Sequence, residues 1–233
     1  MTLSQHTLKS YDAQLEQLLR LILDMGTQVR GMIGSARQSF RNRDESQVAS
    51  AKAADKHIND IDQKIDEAAT LVLALQNPMA IDLRFVVAVL KITTMLERMG
   101  DLAKNTIKRS VKMGEFAPEP IVLKLEQMAD VADGMLADAL QAFADKDTAL
   151  AARVWQRDEA IDALYKEIFA LMQQNMVAAP AHAEAYTHVV FAAKNLERLA
   201  DYTTNLAKTV YYIAAGKRPD KAVLKSLAGE AAE

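Results

Sequence analysis

Cysteine is absent from this chain of 233 residues. The absence excludes disulfides, thiolate metal sites and cysteine nucleophiles. The helix and strand breakers are also rare, with 8 glycines and 5 prolines, so the secondary-structure elements should be long. Runs of alternating apolar and polar residues with hairpin signals are missing as well, which disfavours an all-β fold.

An excess of basic charge is also missing. The formal net charge is −3, whereas bulk electrostatic binding to nucleic acid needs a strong positive excess. The longest strongly apolar stretch, residues 85–90, is far shorter than the ~20 residues that cross a bilayer. Residues 1–10 lack the apolar core of a signal peptide. We therefore expect a cytoplasmic protein that binds no nucleic acid and reaches a membrane only through partners.

Segments rich in Ala, Leu, Lys, Glu, Asp and Gln dominate the sequence and favour helix. Breakers at residues 77–78, 114–120 and 179–180, and after residue 215, separate these segments. They predict six helices, at 10–42, 44–76, 81–113, 121–144 and 147–176, with the sixth ending at 215. The tail from residue 221 onward is expected to fray. Short connections make neighbouring helices antiparallel. The predicted fold is all-α, with two tandem antiparallel three-helix bundles in domains 1–116 and 117–233.

The two halves share an internal repeat. Residues 94–108 read TMLERMGDLAKNTIK, and residues 194–208 read KNLERLADYTTNLAK. Leu, Glu, Arg, Asp, Asn and Lys recur at six equivalent places, each offset by 100 positions. Such a repeat indicates duplication of one bundle.

The third predicted helix is apolar on two sides. Its core stripe comprises Phe85, Val89, Ile92, Leu96, Met99, Ala103 and Ile107. The residues Leu83, Val87 and Leu90 make the other side apolar as well. We expect this helix to pack inside its own bundle and also against either the other bundle or a second subunit.

Each copy of the repeat carries a column of side-chain oxygens. Residues four apart are neighbours on a helix surface, so the columns are Glu97, Asp101 and Asn105 in the first half, and Glu197, Asp201 and Asn205 in the second. The columns flank the core stripe, and the sites should be shallow and partly exposed.

The preceding helix supplies polar partners to each column. Counting back from the turn near residues 78–79 places Asp55 level with Asp101 and Asn59 level with Glu97. The same count about residues 179–180 places Asp158 level with Asp201 and Asp162 level with Glu197. Crowded carboxylates repel unless a cation or protons intervene, and hard oxygen ligands suit Mg²⁺, Mn²⁺, Ca²⁺ or iron. A solvated acidic face with surface ion pairs remains the alternative.

These residues resemble the PhoU family, and the resemblance extends from about residue 10 to 216. The matching motifs are the E-R-M-G-D sequence at 97–101 and the E-R-L-A-D sequence at 197–201, the Asp82-Leu83-Arg84 segment, and the spaced series Asp55, Asn59, Asp62 and Asp66. Asn59 departs from a fully acidic pattern, which suggests weaker metal binding in the first half.

The resemblance implies a homodimer that binds metal ions at the acidic clusters, with iron and zinc among those seen in the family. Manganese and magnesium are further candidates because the ligands are hard oxygens. It implies a negative regulator of the phosphate-starvation response and of phosphate uptake. Such a regulator connects the ATPase subunit of the phosphate ABC transporter with a phosphate-sensing histidine kinase.

A di-iron oxidase, another enzyme and a metal-free adaptor would each need different features in this sequence. A ferritin-like di-iron oxidase needs Glu-x-x-His motifs, and none of the histidines at 6, 57, 182 and 188 follows a glutamate by three. Nucleotide-binding and hydrolase motifs are absent as well, so we expect no enzyme. A metal-free helical adaptor, whose acidic faces dock basic partner surfaces, stays open.

Overall fold

A computed structural model describes residues 3–114 and 117–230 of the chain. The α-helices are α1 (Leu3–Asn42), α2 (Ser46–Gln76), α3 (Ala80–Met113), α4 (Glu119–Asp145), α5 (Thr148–Gln156), α6 (Asp158–Ala178), α7 (Ala183–Ala215) and α8 (Lys221–Glu230). A short 3-10 turn, Pro180–His182, precedes α7. These ranges contain no strand, and the all-α fold class is confirmed.

Helices α1, α2 and α3 pack together as one bundle, and α4, α7 and the α5–α6 pair form the second. The most extensive helix contact in the described chain joins α3 to α7. Thr203 of α7 approaches Met99 of α3 at 3.9 Å between Oγ1 and Sδ. Helix α3 therefore packs against the other half of the same chain through Met99 of its core stripe, whereas Leu83 on the second apolar side is 42% exposed. One continuous apolar core spans both halves, and the domain boundary between residues 116 and 117 stays a prediction.

Charged residues on α1 and α4 also join the halves. Arg30 makes two hydrogen bonds of 2.8 Å to Asp133. About three turns further along α1, Arg41 reaches Glu126 at 2.6 and 2.8 Å. Such two-pronged arginine–carboxylate pairs fix orientation as well as distance. They set the register of α1 against α4.

The fifth predicted helix is interrupted, so the prediction of one helix over 147–176 is wrong. Helix α5 ends at Gln156 and α6 begins at Asp158. The backbone N–H of Arg157 bonds to the carbonyl of Val154, a tighter spacing than that of an α-helix. The Arg157 side chain donates to Asp138 of α4 at 2.7 Å. The break therefore coincides with a tertiary contact and not with a helix-breaking glycine or proline.

The segment after residue 220 forms helix α8, and the expectation that it frays is corrected. Asp220 accepts a hydrogen bond from the Val223 backbone N–H at 2.9 Å, which caps the first turn. Leu224 is buried against Ala152 and Trp155 of α5. Capping and this small apolar contact hold the helix in place.

No helix among the described residues is long and apolar enough to span a membrane.

Candidate metal centre

In the first half, the acidic column of α3 faces α2 as the residue count predicts. The ammonium nitrogen of Lys104 lies 2.6 Å from Asp55 Oδ2 and 2.6 Å from Asp101 Oδ1. Two carboxylates from different helices thus converge on one positive charge. The Lys104 side chain is 15% exposed and that of Asp55 is 17% exposed. A cation already lies between these two predicted ligands.

The protonation of this first cluster follows from its partners. Burial alone would lower the pKa of Lys104, but its hydrogen bonds to Asp101 and Asp55 raise it overall. Burial raises the pKa of Glu97, and the charge of Arg98 opposes that rise. Arg98 lies 3.4 Å from a Glu97 carboxylate oxygen. The lysine therefore stays charged, and the cluster is largely neutralised by its own residues.

The other first-half candidates lie at the edge of this arrangement. Asn59 and Asn105 are both exposed. Burial and the neighbouring Asp66 raise the pKa of Asp62, one turn further along α2. The structure brings Asp55 and Asp101 together but leaves the two asparagines at the surface.

In the second half, Asp158 and Asp201 line a common pocket of about 450 Å³ with Asn205, Arg198 and Lys208. Asp158 is the first residue of α6, which follows the break at Arg157. Burial, with the charges of Asp201 and Asp162 adding to it, raises the pKa of Asp158 to about 6. The carboxylates of this cluster repel one another, and the charge of Lys208 opposes only part of the rise in the pKa of Asp158.

Two neighbours complete the second cluster. The Lys194 ammonium lies 2.6 Å from Glu197 Oε2. Asp162 is half-buried, and its charge contributes to the raised pKa of Asp158. Thr204 occupies the repeat position of Lys104, and its hydroxyl donates to the Asp201 backbone carbonyl at 2.8 Å. The second cluster therefore has no counterpart of the lysine that bridges the first.

Across the described residues, no three Asp, Glu or His side chains are grouped closely enough to hold one metal ion between them. Two converging carboxylates are enough for a hard cation that keeps several waters, as Mg²⁺ does. The donor chemistry of the second cluster fits such an ion. Assignment of any residue here as a metal ligand stays a prediction.

The model of the PhoU domain matches this chain twice, over residues 22–110 and 125–210. The chain belongs to the PhoU family. The sequence resemblance is thereby confirmed, and it places the chain among accessory and regulatory proteins rather than enzymes.

Relatives named as PhoU homologues match over most of their length. The phosphate-specific transport system accessory protein PhoU homolog of Caulobacter vibrioides is 35% identical, with 92% of this chain and 94% of that protein covered. The homolog of Rhizobium meliloti is 34% identical, with coverages of 92% and 91%. The crystal structure of PhoU from Pseudomonas aeruginosa superposes with a TM-score of 0.84 at 28% identity, covering 89% of this chain and 100% of that one.

The Asp82-Leu83-Arg84 segment that resembles the PhoU pattern has a structural role here. The Tyr11 hydroxyl of α1 donates to Asp82 at 3.0 Å. Arg84 donates from Nε to the carbonyl of Ile213 in α7 at 2.9 Å. The start of α3 is thereby tied to both α1 and the end of α7.

Sequence reasoning missed Lys104, the residue that most affects the first cluster. The signal was present in the repeat, where Lys104 aligns with Thr204. A comparison limited to the positions that are identical in the two copies does not include position 104. In addition, a lysine one turn from an aspartate has the pattern of an ordinary surface residue.

Proposed function

We propose that this protein is an accessory regulator of phosphate-specific transport. It acts in the cytoplasm as a homodimeric adaptor between the ATPase subunit of the phosphate ABC transporter and a phosphate-sensing histidine kinase. In this role it restrains the phosphate-starvation response and phosphate uptake when phosphate is plentiful. The family membership supports this proposal, because relatives covering nearly the whole chain are named as accessory proteins of that transport system.

A divalent or transition metal ion, such as iron, zinc, manganese or magnesium, belongs to this proposal. We assign it first to the second cluster, where Asp158 and Asp201 share one pocket. The other proposed ligands are Glu197 and Asn205, which share the α7 column with Asp201, and Asp162, which lies with Asp158 on the facing helix α6. When bound, the ion would supply positive charge that relieves the repulsion among these carboxylates. The convergence of the equivalent residues Asp55 and Asp101 on one ammonium group is the observation that supports a cation at this place.

A metal-free adaptor is the second candidate, and a specific observation favours it. Lys104 and Lys194 already pair with acidic residues in both halves. Partner lysines and arginines would then dock on the remaining carboxylates. This candidate predicts weaker partner binding, and no change in metal content, when the acids are removed.

The regulatory role is tested by deleting the gene in its host. Phosphate-responsive transcription in phosphate-rich medium should rise, and a plasmid copy of the gene should restore repression. Unchanged transcription would count against the regulatory role, whatever the metal content of the protein.

The metal is tested by elemental analysis of purified protein loaded with each candidate ion and then dialysed. The test variant carries Glu197→Ala and Asp201→Ala, and its matched control in the first half carries Glu97→Ala and Asp101→Ala. The second-half variant should lose most of the bound metal while circular dichroism shows that it remains helical. Equal metal content in the wild type and both variants would favour the metal-free adaptor.

The dimer is tested by light scattering at micromolar concentration. The chain mass is 25.7 kDa, and a measured mass near twice this value is expected. A monomer mass would remove the homodimer from the proposal.

A further inference from the structure

A second pocket, which we call the basic pocket, lies where α3 meets α7 and the loop that follows α7. Its volume is about 400 Å³, within the ~300–1,000 Å³ range of small-molecule sites. Three cationic side chains line it, those of Lys91, Lys208 and Arg218. Tyr202 and Tyr212 also line it, and their hydroxyls are hydrogen-bond donors as well as acceptors.

No carboxylate is part of the described lining of the basic pocket. Within residues 3–114 and 117–230, none of the three cations forms an ion pair at 4.0 Å or less. Lys91 lies over the ring of Tyr212, with Nζ 5.4 Å from the centroid. Lys208 also faces Asp158 in the adjoining acidic pocket, whereas Lys91 and Arg218 have no carboxylate among the lining residues.

Backbone contacts hold the loop that carries Arg218. Gly216 has a positive φ of 72° and ends α7, with its N–H bonded to the Tyr212 carbonyl at 2.9 Å. The Nε of Arg84 donates to the Ile213 carbonyl at 2.9 Å, one turn before this cap. A left-handed glycine is the usual C-terminal cap of a helix. The cap and the Arg84 bond place Arg218 beside α7 before any ligand arrives.

We propose that the basic pocket binds a phosphate-type oxyanion, either inorganic phosphate or the phosphate group of a small phosphomonoester. Lysine and arginine donate charge-assisted hydrogen bonds to such oxygens, and neutral hydroxyl groups complete the shell. The pocket lies beside the second acidic cluster, since Lys208 and Tyr202 line both. Binding itself does not depend on the metal. The interpretation of this binding as direct sensing of phosphate by the accessory protein rests on the proposed function.

The test is isothermal titration of the full-length protein with inorganic phosphate and, separately, with adenosine monophosphate. A chelator is present throughout, so that phosphate held by a metal ion is not counted. The wild type should bind at least one of the two with saturation at millimolar concentration. Binding of phosphate alone identifies the free ion as the ligand, and preference for the nucleotide identifies a phosphomonoester.

The pocket variant carries Lys91→Gln and Arg218→Gln, both at exposed positions. Loss of two charge-assisted hydrogen bonds should weaken binding by about tenfold or more. The matched control carries Lys52→Gln and Lys112→Gln, exposed lysines in a basic hollow of the first half that also contains Glu45. The control should bind like the wild type.

Two results would overturn the proposal. One is the absence of saturable binding of either ligand to the wild type. The other is an equal loss in the control variant, since binding would then follow net charge rather than this pocket. Because the readout is direct binding with metal chelated, failure here leaves the regulatory and metal proposals to their own tests.

Discussion

The two acidic clusters derive from one repeated segment, yet they are neutralised in different ways. Lys104 bridges Asp55 and Asp101 in the first half. Thr204 stands at the matching position of the second half, and there the pKa of Asp158 rises to about 6 through burial and neighbouring carboxylates. A single position that differs within the repeat therefore separates a cluster with a bridging lysine from a cluster without one. Identical motif residues do not guarantee equal sites.

The largest expected effect comes from making the second cluster like the first. Thr204→Lys places an ammonium among the carboxylates and should lower the affinity of this cluster for Mn²⁺ by about 100-fold or more, because like charges a few ångströms apart repel strongly. Titration calorimetry measures the change. Thr204→Met, with a long side chain but no charge, is the control for steric effects at this buried position. If the lysine variant binds Mn²⁺ as tightly as wild type, the comparison between clusters is wrong.

Removal of the internal cation should destabilise the first half. Lys104→Met deletes two charge-assisted hydrogen bonds and leaves two carboxylates facing each other. In chelator we expect a loss of about 1–3 kcal/mol in the free energy of unfolding, measured with urea. Added Mn²⁺ should restore part of that loss. Unaltered stability in chelator would show that the lysine contributes little.

The raised pKa of Asp158 predicts a pH dependence of stability at the second cluster. Because the folded-state pKa of about 6 exceeds the ordinary value of about 3.9, the folded state binds the proton more tightly than the unfolded state. Wild-type stability should therefore gain from this group as pH falls through 6. Asp158→Asn should be more stable than wild type in chelator above that pH, with an advantage that shrinks below it. A constant difference across pH would contradict the assignment.

The smallest expected effect concerns the asparagine of the first cluster. Asn59→Asp gives this half the acid that Asp162 supplies in the other half. Metal affinity follows the charge count of the ligands, so a rise on the order of threefold is expected at the first cluster when Lys104→Thr is also present. The measurement is Mn²⁺ titration of the double variant beside Lys104→Thr alone. Equal affinity would place residue 59 outside the site.

Helix periodicity and breakers predicted most of the fold. The α3 stripe from Val89 to Ile107 is buried, and the ends of α2 and α3 fall within a few residues of the expected breakers. The break at Arg157 escaped prediction because it coincides with a contact to Asp138, distant in the sequence. Helix α8 escaped because its stability depends on Leu224 reaching α5. Patterns along the chain do not reveal contacts of this kind.

The acidic sites were predictable only in part. Mirror counting about a turn placed Asp55 beside Asp101, because antiparallel helices have a regular rise per residue. The same counting does not give the rotamer of a long side chain. The position of the Lys104 ammonium group therefore could not be predicted in this way. Counting residues also does not identify the metal, and the elemental analysis proposed above tests for it.

The burial of α3 against α7 means that the duplicated half of the sequence is not the part of the chain that folds as one unit. The repeated segment occurs twice, one hundred residues apart, but the most extensive helix contact in the described chain connects one copy to the other. A gene cut between the copies would give two polypeptides, each with an uncovered apolar helix face. The two fragments should associate when they are expressed together. Each fragment should aggregate when it is expressed alone.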